Sequence, residues 1–166
     1  MPERSPISEK AFVALREFLD ADGWHPVYVE EGDFFRMAFR GRNGEFRVVA
    51  RVRGDFDQLM VYAFAPLAVP EERRLEVCEF VARANYGMRI GNFEIDMNDG
   101  ELRYKSSLDY EDVGLTAIMI RNVIYPAAQT MDRYFPGLIA VVAGAKSAEA
   151  AVEMIETGLP PQHSQN

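Results

Sequence analysis

The nine residues from Glu45 to Arg53 admit few structures. Phe46, Val48, Ala50 and Val52 alternate with Arg47, Val49, Arg51 and Arg53, so the apolar side chains share one face and the cations the other. Asn43-Gly44 precedes the run and Gly54-Asp55 follows it, both pairs that turn a chain back on itself. A half-buried strand between two turns implies antiparallel neighbours on both sides.

Those neighbours stand in the flanking sequence. Phe35, Met37 and Phe39 alternate with Arg36, Ala38 and Arg40, and His25-Pro26-Val27-Tyr28-Val29-Glu30 reads as a short strand ahead of them. Beyond the second turn, Leu59-Met60-Val61-Tyr62-Ala63-Phe64-Ala65 is apolar on both faces, which suits a central strand or one covered on both sides. A second hairpin follows, turning at Asn98-Asp99-Gly100. Phe93, Ile95, Met97, Leu102 and Tyr104 lie on one face, with Glu94, Asp96, Arg103 and Lys105 on the other.

Helical spacing frames these strands. Ser5 and Pro6 cap and start a helix whose stripe is Ala11, Phe12, Leu15, Phe18 and Leu19, stopped at Gly23. Pro70, Glu71 and Glu72 open a second helix. Its Leu75, Val77, Cys78, Val81, Ala82, Ala84 and Tyr86 exceed one stripe, which implies packing on the sheet and on a second protomer. A long apolar helix runs from about Val113 towards Gly144, with a kink expected at Pro126 and a break at Pro136-Gly137. Ser147 caps a last helix through Ile155, stopped by Gly158 and Pro160. The sum is an α+β fold: a single antiparallel sheet of about five to six strands packed by helices, in the order α-β-β-β-(β)-α-β-β-α-α. One domain over 1–166 is expected, with a core over about 6–157 and a flexible tail over 158–166.

Reactive chemistry is harder to find. A formal net charge of −8 argues against general nucleic-acid binding. Cys78 is the single cysteine, which rules out an intramolecular disulfide, and its apolar helical setting reads as an inert core thiol. His25 and His163 lack the partner pattern of a nucleophile and base. Asp96, Asn98, Asp99 and Glu101 resemble the start of a calcium loop, but glycine comes at the fifth place and Ser107 stands where the bidentate glutamate belongs. The longest apolar run, Tyr134 to Ala145, is too short to span a bilayer, and Met1 to Pro6 has no signal core. These features together lead us to expect a soluble cytoplasmic protein without catalytic residues, metal or cofactor, and with no nucleic-acid or membrane partner.

One surface stands out. Arg36, Arg40, Arg47, Arg51 and Arg53 point outward from two neighbouring strands, with Arg42 at the turn. They form either a basic strip for an acidic segment or anionic ligand, or a solvated face neutralised by Glu94, Asp96, Asp55 and Asp57; the second is the default. Tyr62 and Phe64, with Phe34 and Tyr104, are core by default and otherwise an apolar platform for a partner. The candidate partner surface is therefore Arg36, Arg40, Arg47, Arg51, Tyr62 and Phe64.

Pro70, Arg74 to Asn85, Gly91-Asn92-Phe93-Glu94-Ile95-Asp96, Asp99 to Tyr104 and Asp132 to Leu138 resemble the YbjN family of bacterial proteins, described as sensory transduction regulators. The likeness spans about residues 8 to 145. It implies a fold similar to type III secretion chaperones, small acidic homodimers that hold an extended partner segment against apolar patches. By that resemblance the chain is a non-enzymatic, chaperone-like or regulatory domain that acts as a homodimer and takes a protein or peptide partner. The family has no agreed site, so no functional residue carries over. The alternative is a small anionic ligand-binding domain, or an enzyme, using the arginine-rich face.

Overall fold

The structure is a computed structural model that describes residues 5–157. The tail over 158–166, with His163 and the expected helix stop at Gly158 and Pro160, lies outside the described residues.

Ser5 is extended and its side chain accepts a hydrogen bond from the Ser8 N–H at 3.2 Å, starting α1 (Pro6–Ala21). Then β1 (Val27–Val29), β2 (Phe34–Arg40), β3 (Glu45–Arg53) and β4 (Gln58–Ala68) form an antiparallel meander. A 3-10 turn over Glu71–Arg73 leads into α2 (Arg74–Asn85), and the hairpin of β5 (Asn92–Ile95) and β6 (Glu101–Asp109) follows. The chain then forms α3 (Ala117–Val142) and α4 (Ala148–Thr157). The strand order is β1-β2-β3-β4-β6-β5. This order explains the doubly apolar strand: β4 is central, flanked by β3 and β6.

The core lies on one side of the sheet. Phe35, Phe46, Val48, Leu59, Val61, Leu102 and Tyr104 are buried there against Phe12 and Leu15 of α1 and Ile124, Ala128, Met131 and Tyr134 of α3. Each fully buried large side chain contributes about 1.5–3 kcal/mol of transfer free energy. Edge-to-face rings tie the layers at Phe46–Phe135 (5.2 Å) and Phe93–Tyr134 (5.5 Å). The outward residues of β2, β3, β4 and β6 are half-buried or exposed, and no helix covers them among the described residues.

Helix α2 has two neighbours within the chain, one formed by β5 and α3 and the other by α4. Val77, Phe80, Val81 and Ala84 face them, whereas Leu75 and Tyr86 remain 79% and 90% exposed. The expected break at Pro136 does not occur: α3 runs unbroken through Pro126 and Pro136. A helical proline removes one hydrogen bond and strands the carbonyl four residues earlier. For Pro136 that carbonyl belongs to Asp132, and the Asn43 side-chain amide donates to it at 2.9 Å. The Asp132 carboxylate accepts in turn from the backbone N–H groups of Arg42 (3.1 Å) and Asn43 (2.7 Å). The β2–β3 turn thus supplies what the proline takes away, and packing of the apolar stripe carries the helix onward.

The two edges of the sheet end differently. On β5, the Asn85 side chain accepts from the Phe93 N–H at 2.7 Å and donates to the Phe93 carbonyl at 3.0 Å, as a neighbouring strand would. On the other side β1 pairs only with Phe34 to Arg36 of β2.

Candidate functional site

Cross-strand register assembles the outer face. Ala38, Arg47, Phe64, Arg103 and Glu94 form one row across five strands, and Arg36, Val49, Tyr62, Lys105 and Asn92 form the next. Arg51 sits in a third row with Met60 and Ser107, while Arg40 closes the far end of β2 opposite Glu45. The six residues singled out by sequence therefore share one face, although Arg40 and Arg51 lie at opposite ends of it.

At its centre is a short aromatic–cation stack. The Tyr62 and Phe64 rings are 6.2 Å apart. The Arg47 guanidinium lies 4.0 Å from the Phe64 ring centre, and that of Arg103 lies 4.6 Å from Tyr62. Contacts of this kind are worth about 0.5–1 kcal/mol at exposed sites. Neither aromatic is core: both are half-buried, because β4 shows its second face to the outer surface. Beside the stack a shallow concavity of about 670 Å³ is lined by His25, Arg36, Ala38, Arg47, Phe64 and Pro66, among others.

Countercharges come largely from residues other than those expected. Glu45 pairs with Arg40 at 2.9 Å and Glu101 with Arg47 at 3.5 Å. Of the four expected acids, only Asp55 reaches the strip, at 2.8 Å from Arg53. The hydrogen bond from Arg53 holds the Asp55 carboxyl below the usual carboxylate range. Glu94 pairs instead with Arg103 at 3.0 Å and with Lys105. Its burial opposes ionisation, but the Lys105 and Arg103 hydrogen bonds outweigh that and lower its pKa. Asp96 turns back to the Asn98 N–H (2.8 Å) and side chain, serving the hairpin turn. Arg36 and Arg51 have no ion pair among the described residues. The face is thus partly neutralised.

Sequence reasoning missed Arg103, Lys105 and Glu101 as members of this face. Their alternation was visible, but their position beside Tyr62 depends on β6 pairing with β4 across a gap of about forty residues, which periodicity does not encode. Cys78 also departs from expectation. It is half-buried rather than core, with its sulfur 3.3 Å from that of Met97, because α2 turns this side to the rim. His25 takes a positive φ of 50° at the concavity's edge. Among the described residues no helix is long and apolar enough to cross a membrane.

The model of the YbjN family, described as "Putative bacterial sensory transduction regulator", matches residues 12–140. The chain belongs to the YbjN family. A crystal structure of YbjN itself, described as "a putative transcription regulator from E. coli", superposes with a TM-score of 0.52 at 15% identity, covering 87% of this chain and 86% of that one. The α+β fold is therefore the YbjN fold. The HopA1–SchA chaperone–effector complex matches more loosely, with a TM-score of 0.42 at 14% identity over 82% of this chain and 94% of the other, too distant to carry a conclusion. No curated protein matches the chain. The YbjN family is of regulator type, and that description points to no reaction.

Proposed function

We propose that the chain is a non-enzymatic regulatory domain of the cytoplasm that binds an acidic segment of a partner protein on the open face of its sheet. One observation carries this reading. On a chain with a net charge of −8, the uncovered face gathers Arg36, Arg40, Arg47, Arg51, Arg53, Arg103 and Lys105 around Tyr62 and Phe64. Only Glu45, Glu94, Glu101 and Asp109 oppose them from the strands. Stacked guanidiniums give planar donors for carboxylates, and the half-buried rings give apolar area beneath them.

A peptide array graded from basic to acidic tests the reading. Retention of acidic peptides by the wild type, lost in Arg47→Ala, is the expected result. Equal retention of basic peptides would remove it. Stabilisation by small anionic metabolites alone, again lost in Arg47→Ala, would favour the small-ligand alternative, for which the concavity beside Arg36 and Arg47 provides the room.

A homodimer completes the proposal. Leu75, Ala82 and Tyr86 recur on the exposed side of α2 with Met97 beside them, and the nearby Glu79 is already paired with Arg83 at 2.8 Å. An exposed apolar stripe of this kind can face its own copy across a two-fold axis. Light scattering after size exclusion is expected to give twice the 18.8 kDa chain mass, and the monomer mass for Leu75→Asp with Tyr86→Asp.

A further inference from the structure

A sheet edge either closes its backbone or leaves it open to a further strand. The register of β1 on β2, Val29↔Phe34 to Val27↔Arg36, stops where Pro26 has no N–H to donate. His25, at φ +50°, interrupts the extended run, and the preceding Trp24 stacks on Phe39 with ring centres 6.0 Å apart. From Met37 to Arg40, β2 therefore has a strand neighbour on one side only among the described residues. The Gly41 N–H donates to the Gly44 carbonyl at 2.8 Å, so those two opposed residues form a hydrogen-bonded pair. Alternation along the antiparallel ladder then turns the N–H and C=O of Ala38 and Arg40 away from β3, towards the side with no paired strand. Both residues are exposed.

We propose that this overhang accepts the acidic partner segment as an added strand. The inference rests on reading the outer face as a protein-binding surface, and it states where the segment is anchored. A strand laid beside Ala38 and Arg40 gains main-chain hydrogen bonds and sets alternate side chains on the outer face, beside Arg36 and Arg47. Glutamate or aspartate at those alternate positions meets Arg36, which has no ion pair among the described residues. A second copy is the poorer occupant: two β2 strands paired antiparallel about Ala38 would set Arg36 directly against Arg40, like charge on like. The overall negative charge does not prevent the approach of an acidic segment. At physiological salt the screening length is about 8 Å, so the adjacent guanidiniums dominate the local field.

The probe is a blocked peptide of alternating glutamate and valine, about eight residues long, titrated into the isotope-labelled full chain. Saturable binding is expected, with slowed hydrogen exchange at the Ala38 and Arg40 amides. N-methylating the peptide at alternate residues should weaken binding about tenfold in one phase and leave it nearly intact in the other, because only one phase faces β2. Ala38→Pro, which removes an outward-facing N–H, should weaken binding similarly. Binding that ignores both changes and protects neither amide, yet fails in Arg47→Ala, overturns strand addition and leaves the outer face as the surface. No saturable binding overturns both.

Discussion

The two edges of this sheet treat the same problem in opposite ways. The β5 edge is closed by one side chain, Asn85, whose amide supplies an acceptor and a donor to Phe93. Among the described residues, the β2 edge is paired with β1 over three of its seven residues and carries no strand beyond Pro26. The closed edge adjoins the helices α2 and α3, where an unsatisfied backbone group would be partly buried and costly. The open edge adjoins water and a face rich in cations. Closure therefore follows burial, and the opening coincides with the surface least suited to being core.

The largest expected effect in breaking this contrast falls on the closed side. Gly100 takes φ +79°, and a Cβ there would come within 2.2 Å of the Val69 carbonyl oxygen. The Val69 N–H donates to the Gly100 carbonyl at 2.8 Å, which fastens the β5–β6 turn to the end of β4. Gly100→Ala should cost about 3 kcal/mol or more and lower Tm by roughly 6–12 °C in a thermal scan. Asn85→Ala comes next, at about 2 kcal/mol, with faster hydrogen exchange at Phe93 making the two edges alike. Acid should blunt the asymmetry by a smaller amount. The Glu94 carboxyl is lowered in the folded state, so its contribution is present above its unfolded pKa and is lost as pH falls through the folded one. Acid titration of the wild type should therefore weaken the β5–β6 side, and Glu94→Gln should flatten that part of the profile. The smallest effect is at the open edge: Arg40 and Glu45 are 84% and 55% exposed, so Arg40→Ala should leave Tm within about 1–2 °C.

Much of the architecture was legible because it is local. Alternation around Phe46 and Phe35, turn chemistry at Asn43-Gly44, and the Ser5-Pro6 helix start each depend on a few adjacent residues, and each appears where expected. What the sequence concealed is long-range. Pairing of β6 with β4 brought Arg103 onto Tyr62 and replaced most of the expected countercharges. The packing of α4 on α2 meant that the second neighbour of that helix lay within the chain, while Leu75 and Tyr86 stayed outside. Pro136 misled because local rules count the hydrogen bond it removes but cannot know that Asn43 replaces it. The outer face was legible as a set of outward arginines; its centre, the stack of Arg47 on Phe64, required the register.

That replacement has a consequence for how the sequence can drift. Gly41, Asn43, Asp132 and Pro136 form one structural unit although they belong to two distant stretches of chain. A Cβ at Gly41 would strike the Asp132 carboxylate at 2.2 Å, and Asn43 bonds to a carbonyl that only a proline four residues later leaves vacant. A lineage that exchanges Pro136 for an ordinary helix former regains an internal hydrogen bond and relieves Asn43 of its duty. One that loses Asn43 first strands the carbonyl. Among divergent relatives, retention of the asparagine should therefore follow retention of the proline, and the order of loss should run from proline to asparagine.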